Sequence, residues 1–112
     1  MLARAIARYV HMTPRKVGYM VRPLRKRTVA EALAILSVTN RRAAKPVAKL
    51  VASAFANARQ RAPGLREEEV VISRVTADEG PRGKRFRAAA FGRATRILKR
   101  TTHITVELEK KA

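Results

Sequence analysis

A stretch of 21 residues near the C-terminal end of the chain, Gly80 to Arg100, holds eight basic side chains and no acidic one. Segments with the alternating, β-branched pattern of strands flank it on both sides. Eight like charges on one short segment repel each other and have almost no means of burial against their own domain. The pattern therefore predicts a long hairpin whose outer part projects from the protein. The eight cations are Arg82, Lys84, Arg85, Arg87, Arg93, Arg96, Lys99 and Arg100.

The charge of the whole chain is as unbalanced as this segment. Of 112 residues, 26 are Lys or Arg and 8 are Asp or Glu, for a formal net charge of +18 and a pI of about 11.8. A pI above about 9 is typical of nucleic-acid-binding domains. In the segment Arg outnumbers Lys six to two, which favours bidentate phosphate contacts. Because only five residues are Tyr or Phe, we expect charge and shape, rather than base stacking, to dominate binding to folded RNA or a duplex.

Residue types suited to catalysis or metal binding are sparse. The chain has no Cys, which excludes disulfides, thiolate metal sites and a Cys nucleophile and fits a reducing cytosol. His11 and His103 do not have metal-ligand spacing, and the adjacent Asp78 and Glu79 point to opposite faces of a strand. We therefore predict no enzyme activity, no catalytic residue, no metal and no cofactor. No apolar run could span a bilayer, and residues 1–12 lack the pattern of a signal peptide.

Two short helices are predicted to follow a first strand. Thr13-Pro14 has the pattern of a helix start, an N-cap residue followed by proline, and Pro23 should kink or end that helix. Thr28 and Glu31 have the spacing of a capping box, in which each side chain bonds a backbone N–H group. They begin a second helix that continues to about Val38.

A third helix and the strands complete the pattern. Arg41–Arg61 repeats apolar residues at helical spacing and is the longest predicted helix. Strands are predicted at Ala3–Val10, Val70–Ala77 and Ile97–Leu108. Because helices and strands are segregated along the chain, we predict an α+β fold: a three-stranded antiparallel sheet packed on three helices, with a long protruding β-hairpin. Residues 1–112 should form a single domain, with residues 80–96 as its extended basic arm.

Several motifs occur in a fixed order along nearly the whole chain. They are Pro14-Arg15-Lys16-Val17, Ala32 to Leu36 with Thr39 to Ala44, Ala54 to Ala58, Asp78-Glu79-Gly80-Pro81, Lys84-Arg85, Gly92-Arg93-Ala94 and Arg96 to Val106. Taken together, they resemble those of the bacterial large-subunit ribosomal protein L twenty-two family. Several motifs in the right order are far more specific than any one of them.

The resemblance implies a structural constituent of the large subunit, located in the cytoplasm as part of the ribosome. Members of that family bind large-subunit rRNA and aid assembly, and their long hairpin lines the nascent-peptide exit tunnel with its tip. The implied partners are rRNA, neighbouring large-subunit ribosomal proteins and the nascent peptide near the tip, with no membrane and no homo-oligomer. Positions that match the family's motifs are Arg15, Lys16, Lys84, Arg85, Arg93, Arg96, Lys99, Arg100 and His103.

Other candidate residues are predicted from charge and position. The additional RNA-binding candidates are Arg4, Arg8, His11, Arg82 and Arg87, and the expected tunnel-lining tip is Arg85, Phe86, Arg87, Ala88, Ala89, Ala90 and Phe91. Composition alone leaves other functions open. One is an architectural DNA-binding protein with β-ribbon arms. The others are a cationic membrane-active peptide and a soluble protein whose surface is merely highly charged.

Overall fold

The strands and helices follow the predicted order in the computed structural model, which describes residues 2–80, 83–88 and 94–111, with backbone only for 83–88 and 94–99. The elements are β1 (Ala3–Val10), α1 (Pro14–Val21), α2 (Val29–Val38), α3 (Ala44–Arg61), β2 (Val70–Glu79), β3 (Gly83–Ala88), β4 (Ala94–Lys99) and β5 (Thr102–Lys110). Short 3-10 turns occupy Arg22–Leu24 and Glu67–Glu69. Pro23 thus lies in a 3-10 turn directly after α1, which confirms that the helix ends near it.

The strands confirm the predicted α+β fold. β1, β5 and β2 form one antiparallel sheet with β5 in the centre, while β3 and β4 pair antiparallel in a separate two-stranded sheet. The register of that second sheet runs from Gly83 opposite Lys99 to Ala88 opposite Ala94. The prediction of one continuous strand over Ile97–Leu108 was wrong, because the chain leaves strand geometry at residues 100–101, between β4 and β5.

The hydrophobic core lies between the helices and one face of the three-stranded sheet. Ile104, Val106 and Leu108 of β5 are fully buried and alternate with half-buried residues, which confirms the predicted period-two pattern. Ala3 and Ala5 of β1 are also buried, and their small side chains allow α3 to pack closely on that strand. Two side chains of α3 bond the β1 segment: Asn57 Nδ2 donates to the Arg4 carbonyl at 3.2 Å, and Arg61 Nη1 donates to the Leu2 carbonyl at 3.1 Å.

The third helix begins at Ala44, three residues later than predicted. Residues 41–43 form a turn instead, closed by a bond from the Ala44 N–H to the Arg41 carbonyl at 3.1 Å. Pro46 explains the later start. It is tolerated in the first turn of a helix, where N–H groups have no intrahelical partner, but a start at Arg41 would place it in the interior.

The start of α2 has half of the predicted capping box. The Glu31 N–H donates to Thr28 Oγ1 at 3.2 Å, as predicted. The Glu31 carboxylate was expected to accept from a backbone N–H, and it instead accepts from Arg27 Nη1 and from the Thr28 hydroxyl, both at 3.2 Å. Both hydrogen bonds lower the pKa of the Glu31 carboxyl group, and the bond from Arg27 has the larger effect. Thr13, at the start of α1, makes no side-chain cap bond.

The chain leaves the three-stranded sheet at Gly80 and returns to it at Thr101, so in the structure the arm comprises residues 81–100, whereas the predicted bounds were 80–96. The Gly80 N–H donates to the Thr101 carbonyl at 2.9 Å, directly beyond the last β2–β5 pair, Glu79 opposite Thr102. A Cβ atom at position 80 would lie 2.5 Å from Thr101 Oγ1 and 3.1 Å from His103 Cε1. The close approach of Thr101 and His103 therefore favours glycine at this point, since any larger residue would force these side chains to shift.

Gly80→Ala should lower the free energy of unfolding by about 1–3 kcal/mol, because the methyl group overpacks against Thr101 and His103. Denaturant unfolding monitored by circular dichroism measures this. Gly18→Ala is the matched control, since a Cβ at Gly18 meets nothing within 4 Å and alanine favours a helix. Equal stability of Gly80→Ala and the parent protein would contradict the proposed constraint.

Candidate nucleic-acid interface

The predicted RNA-binding residues outside the arm lie in three places. The sheet has one face on the helices and one open face, and the structure assigns some candidates to the open face and others to two concavities around α1. Arg4, Arg8 and His103 belong to the open face, His11, Lys16 and Arg100 line a groove at the base of the arm, and Arg15 lines a separate concavity.

The groove at the base of the arm, here called the basal groove, has a volume of about 680 Å³. The described residues that line it are His11, Met12, Thr13, Lys16, Arg41, Arg42, Ala43 and Arg100. Four of these are permanent cations, all exposed, and none is a carboxylate. A concave surface of one sign concentrates field lines, so the basal groove attracts polyanions and can contact phosphates from several sides.

Two local features bring the cations of the basal groove together. Thr102 is fully buried, and its hydroxyl donates to the Met12 carbonyl at 2.6 Å, which fixes β5 against the segment before α1. Arg100 is thereby positioned beside His11 and Lys16, although they are far apart in sequence. On the other side, the turn imposed by Pro46 holds Arg41 and Arg42 outside α3.

Sequence reasoning did not select Arg41 and Arg42 as binding residues. The helical spacing predicts that they form the first turn of a helix, whereas they form a cationic turn that lines the basal groove. The sequence signal that indicates this position is Pro46, because a proline is tolerated in the first turn of a helix but not in its interior. A helix that has Pro46 in its first turn begins after Arg41 and Arg42, which leaves both arginines outside it.

On the open face, His103 is held by β1. Its Nδ1 accepts a hydrogen bond from the Tyr9 N–H at 3.1 Å, and the two rings pack edge to face with centroids 5.0 Å apart. Tyr9 has a φ of 57°, at an irregularity between Ala7 and Val10, and its side chain is 57% exposed. Strict alternation would have put Tyr9 on the face of Ala5 and Ala7. Because Nδ1 is engaged, only Nε2 of His103 is available to donate to a phosphate.

Both strands of the arm contain basic residues. Lys84, Arg85 and Arg87 lie on β3, Arg96 and Lys99 lie on β4, and Arg100 follows at the base. Of the expected tip, Arg85, Phe86, Arg87 and Ala88 belong to β3, with Phe86 opposite Arg96 in the register. Arg82, Arg93, Ala89, Ala90 and Phe91 lie outside the described residues.

A family model described as ribosomal protein L22p/L17e matches residues 5–109. The chain belongs to this family. The match includes most of β1, all three helices and the arm, and it confirms the family inferred from the sequence motifs. The protein is therefore a structural component of the large ribosomal subunit, where it binds rRNA beside other ribosomal proteins and serves translation as part of a ribonucleoprotein.

Two further properties concern the part of the chain that the structure describes. None of its helices has the length and apolar character needed to cross a bilayer. Among its side chains, no group of three or more His, Asp or Glu residues is arranged to hold a metal ion.

Proposed function

We propose that this L22p/L17e-family protein aids assembly of the large subunit by neutralising phosphates where separate segments of rRNA converge. The basal groove holds one segment against α1 and the turn before α3, and the arm extends between others. In this proposal the RNA-binding residues are Arg4, Arg8, His11, Arg15, Lys16, Arg82, Lys84, Arg85, Arg87, Arg93, Arg96, Lys99, Arg100 and His103, to which we add Arg41 and Arg42.

The observation that carries the proposal is the continuity of the basal groove with the arm. Arg100 lines the groove and follows β4 directly, so the basic sequence of the arm begins at the edge of the groove. Crowded phosphates repel one another, and cations between them remove that repulsion and release bound counterions. Contacts of this kind position a protein on RNA without reading its bases.

The proposal extends to the far end of the arm. Residues 85–91 line the wall of the nascent-peptide exit tunnel, where they contact the growing chain. This part rests on the behaviour implied by the family and on the length of the arm, since six residues of strand span about 20 Å. The protein acts in the cytoplasm as a single domain of residues 1–112, with residues 80–96 as the extended basic part of the arm, without an enzymatic role, a membrane or a second copy of itself.

RNA affinity and its salt dependence test the proposal. The full chain should bind a folded large-subunit rRNA fragment with an affinity that falls steeply with salt. Lys16→Gln/Arg41→Gln/Arg42→Gln should reduce the slope of log K against log salt by about two to three, since each phosphate contact contributes about 0.7–0.9. Fluorescence anisotropy titrations over a series of salt concentrations measure both quantities.

The matched control removes the same charge elsewhere. Lys49→Gln/Lys110→Gln/Lys111→Gln leaves the same net charge, but these lysines do not line the basal groove. The slope of log K against log salt for this control variant should stay within one unit of the slope for the parent protein. Equal losses in the two triple variants would contradict the groove as a binding site. Tighter binding to duplex DNA than to the rRNA fragment, together with stable dimers, would support the architectural DNA-binding alternative instead.

A further inference from the structure

A second concavity lies on the exposed side of α1, beside the end of β2, and is here called the Tyr19 pocket. Its volume is about 380 Å³, within the size range of small-molecule sites. The described residues that line it are Pro14, Arg15, Gly18, Tyr19, Val21, Arg22, Arg25 and Ala77. Three of these are arginines, none is a carboxylate, and none also lines the basal groove.

Two guanidinium groups hold the ring of Tyr19 in place. Arg15 Nε lies 3.4 Å from the Tyr19 hydroxyl, and Arg22 Cζ lies 5.8 Å from the ring centroid, within cation–π distance. Arg15 is four residues before Tyr19 and Arg22 three residues after it, so all three share one side of the helix. Tyr19 is 51% exposed, and burial in the core therefore does not account for an aromatic ring at this position.

Gly18 leaves open space beside that ring. A Cβ atom built on Gly18 would meet nothing within 4 Å, although the residue lies within α1, where glycine costs about 1 kcal/mol relative to alanine. Gly18 lines the same pocket as Tyr19, so a large side chain at this position would project into the space of the pocket. A ligand that suits this lining has a flat, uncharged group that packs on the Tyr19 ring and an anionic group that pairs with the arginines.

We propose that the Tyr19 pocket binds one unpaired nucleotide of RNA. The base stacks on Tyr19, and the phosphates on either side of it pair with Arg15, Arg22 and Arg25. A nucleotide places an aromatic ring next to a phosphate, which matches the pocket better than an acidic peptide, whose carboxylates would pair with the arginines but leave the exposed part of the Tyr19 ring uncovered. This inference rests on the proposed RNA-binding function and adds to it a contact that depends on a base.

The test compares a hexa-adenylate RNA with the same oligonucleotide built from abasic riboses. Tyr19→Leu in the full chain should weaken binding of hexa-adenylate by about tenfold to a hundredfold, the range of one base stack on an aromatic side chain. It should leave binding of the abasic oligonucleotide unchanged, because no charge is removed. Tyr19→Phe keeps the ring and should keep the affinity within about threefold of the parent protein.

Two controls separate stacking from general effects. Tyr9→Leu removes the other tyrosine of the chain, which is also exposed but packs its ring against His103, and it should not change the preference for hexa-adenylate. Gly18→Leu keeps Tyr19 and all three arginines but fills the space beside the ring, and it should reduce that preference. Unfolding temperatures of all variants, measured first, establish that each one folds.

The outcomes distinguish this inference from the proposed function. If Tyr19→Leu binds hexa-adenylate like the parent protein while binding to the rRNA fragment stays strong and salt-dependent, the nucleotide site is wrong and the proposed function stands. Equal losses on the normal and abasic oligonucleotides would also overturn stacking. If the parent protein binds neither RNA, both the inference and the proposed function are wrong.

Discussion

A shortened protein, in which residues 81–100 are replaced by Asn-Gly, should keep the body folded and lose at least about a hundredfold in rRNA affinity at low salt. The body means residues 2–80 and 101–111. Gly80 and Thr101 are already joined by a backbone hydrogen bond of 2.9 Å, next to the pair of Glu79 and Thr102. Asn-Gly, a two-residue turn of the type that suits hairpins, can therefore connect them without moving β2 or β5.

The physical reason is that the arm contributes charge to binding and little burial to folding. The core residues whose side chains the structure describes all belong to the body, and β3 and β4 form a sheet separate from it. Excision removes eight cations, so the slope of log K against log salt should fall by about six. Thermal unfolding and anisotropy titrations against the rRNA fragment measure the two effects.

A second variant separates charge from shape. Lys84, Arg85, Arg87, Arg96 and Lys99 are changed to Gln together, which keeps the length of the arm while removing the cations of its two strands. It should reproduce most of the loss in slope. If the protein without residues 81–100 fails to fold, the body depends on the arm for its stability. If that protein keeps the rRNA affinity of the parent protein, the arm does not bind the RNA.

Local chemistry determines the features that the sequence predicted correctly. The end of α1 follows from Pro23, whose ring and missing N–H act on the turn that contains it. The alternation of β5 follows from burial on one side only, a property that each residue of the strand carries by itself. The α+β fold follows in turn, because helices and strands segregated along the chain pack as separate layers.

Features that were missed depend on contacts between distant segments. Leu50 is buried because α3 packs on both α2 and the sheet, which covers a wider arc of the helix than one apolar stripe. The helical spacing predicts a stripe without Leu50, made of Ala44, Val47, Ala48, Val51, Ala54, Phe55 and Ala58. The exposure of Tyr9 depends on the irregularity in β1 and its bond to His103, and no local pattern in the sequence encodes either.

The candidate site was predicted as a set of cations, and its division into three surfaces was not. Arg42 and Arg100 line one groove because Thr102 bonds the Met12 carbonyl and Pro46 delays α3, so the juxtaposition needs a tertiary contact in addition to a local constraint. Arg15 and Lys16 are adjacent in sequence but line different concavities. Neighbouring residues of a helix point about 100° apart, which separates them into two sites.

The largest expected loss of stability is that of Leu108→Ala. Leu108 is fully buried in the central strand, opposite Ala3 of β1 and Ile72 of β2. Ala3 is too small to fill the cavity, so the free energy of unfolding should fall by about 2–5 kcal/mol. Val38→Ala is the control, since Val38 is 84% exposed and its truncation should change stability by less than about 0.5 kcal/mol. Denaturant unfolding of both variants measures these changes, and equal stabilities would contradict the core assigned to β5.

The same variant connects folding with RNA binding. A ligand that binds only the folded protein stabilises it by about 2.7 kcal/mol at a hundred times its dissociation constant. The rRNA fragment should therefore raise the unfolding temperature of Leu108→Ala and recover much of what the cavity removes. At the same RNA concentration, the rRNA fragment should raise the unfolding temperature of the protein that lacks residues 81–100 far less. That protein has an intact core but binds the fragment weakly. An equal rise in both would mean that the body alone provides the RNA-binding surface and that the arm acts elsewhere.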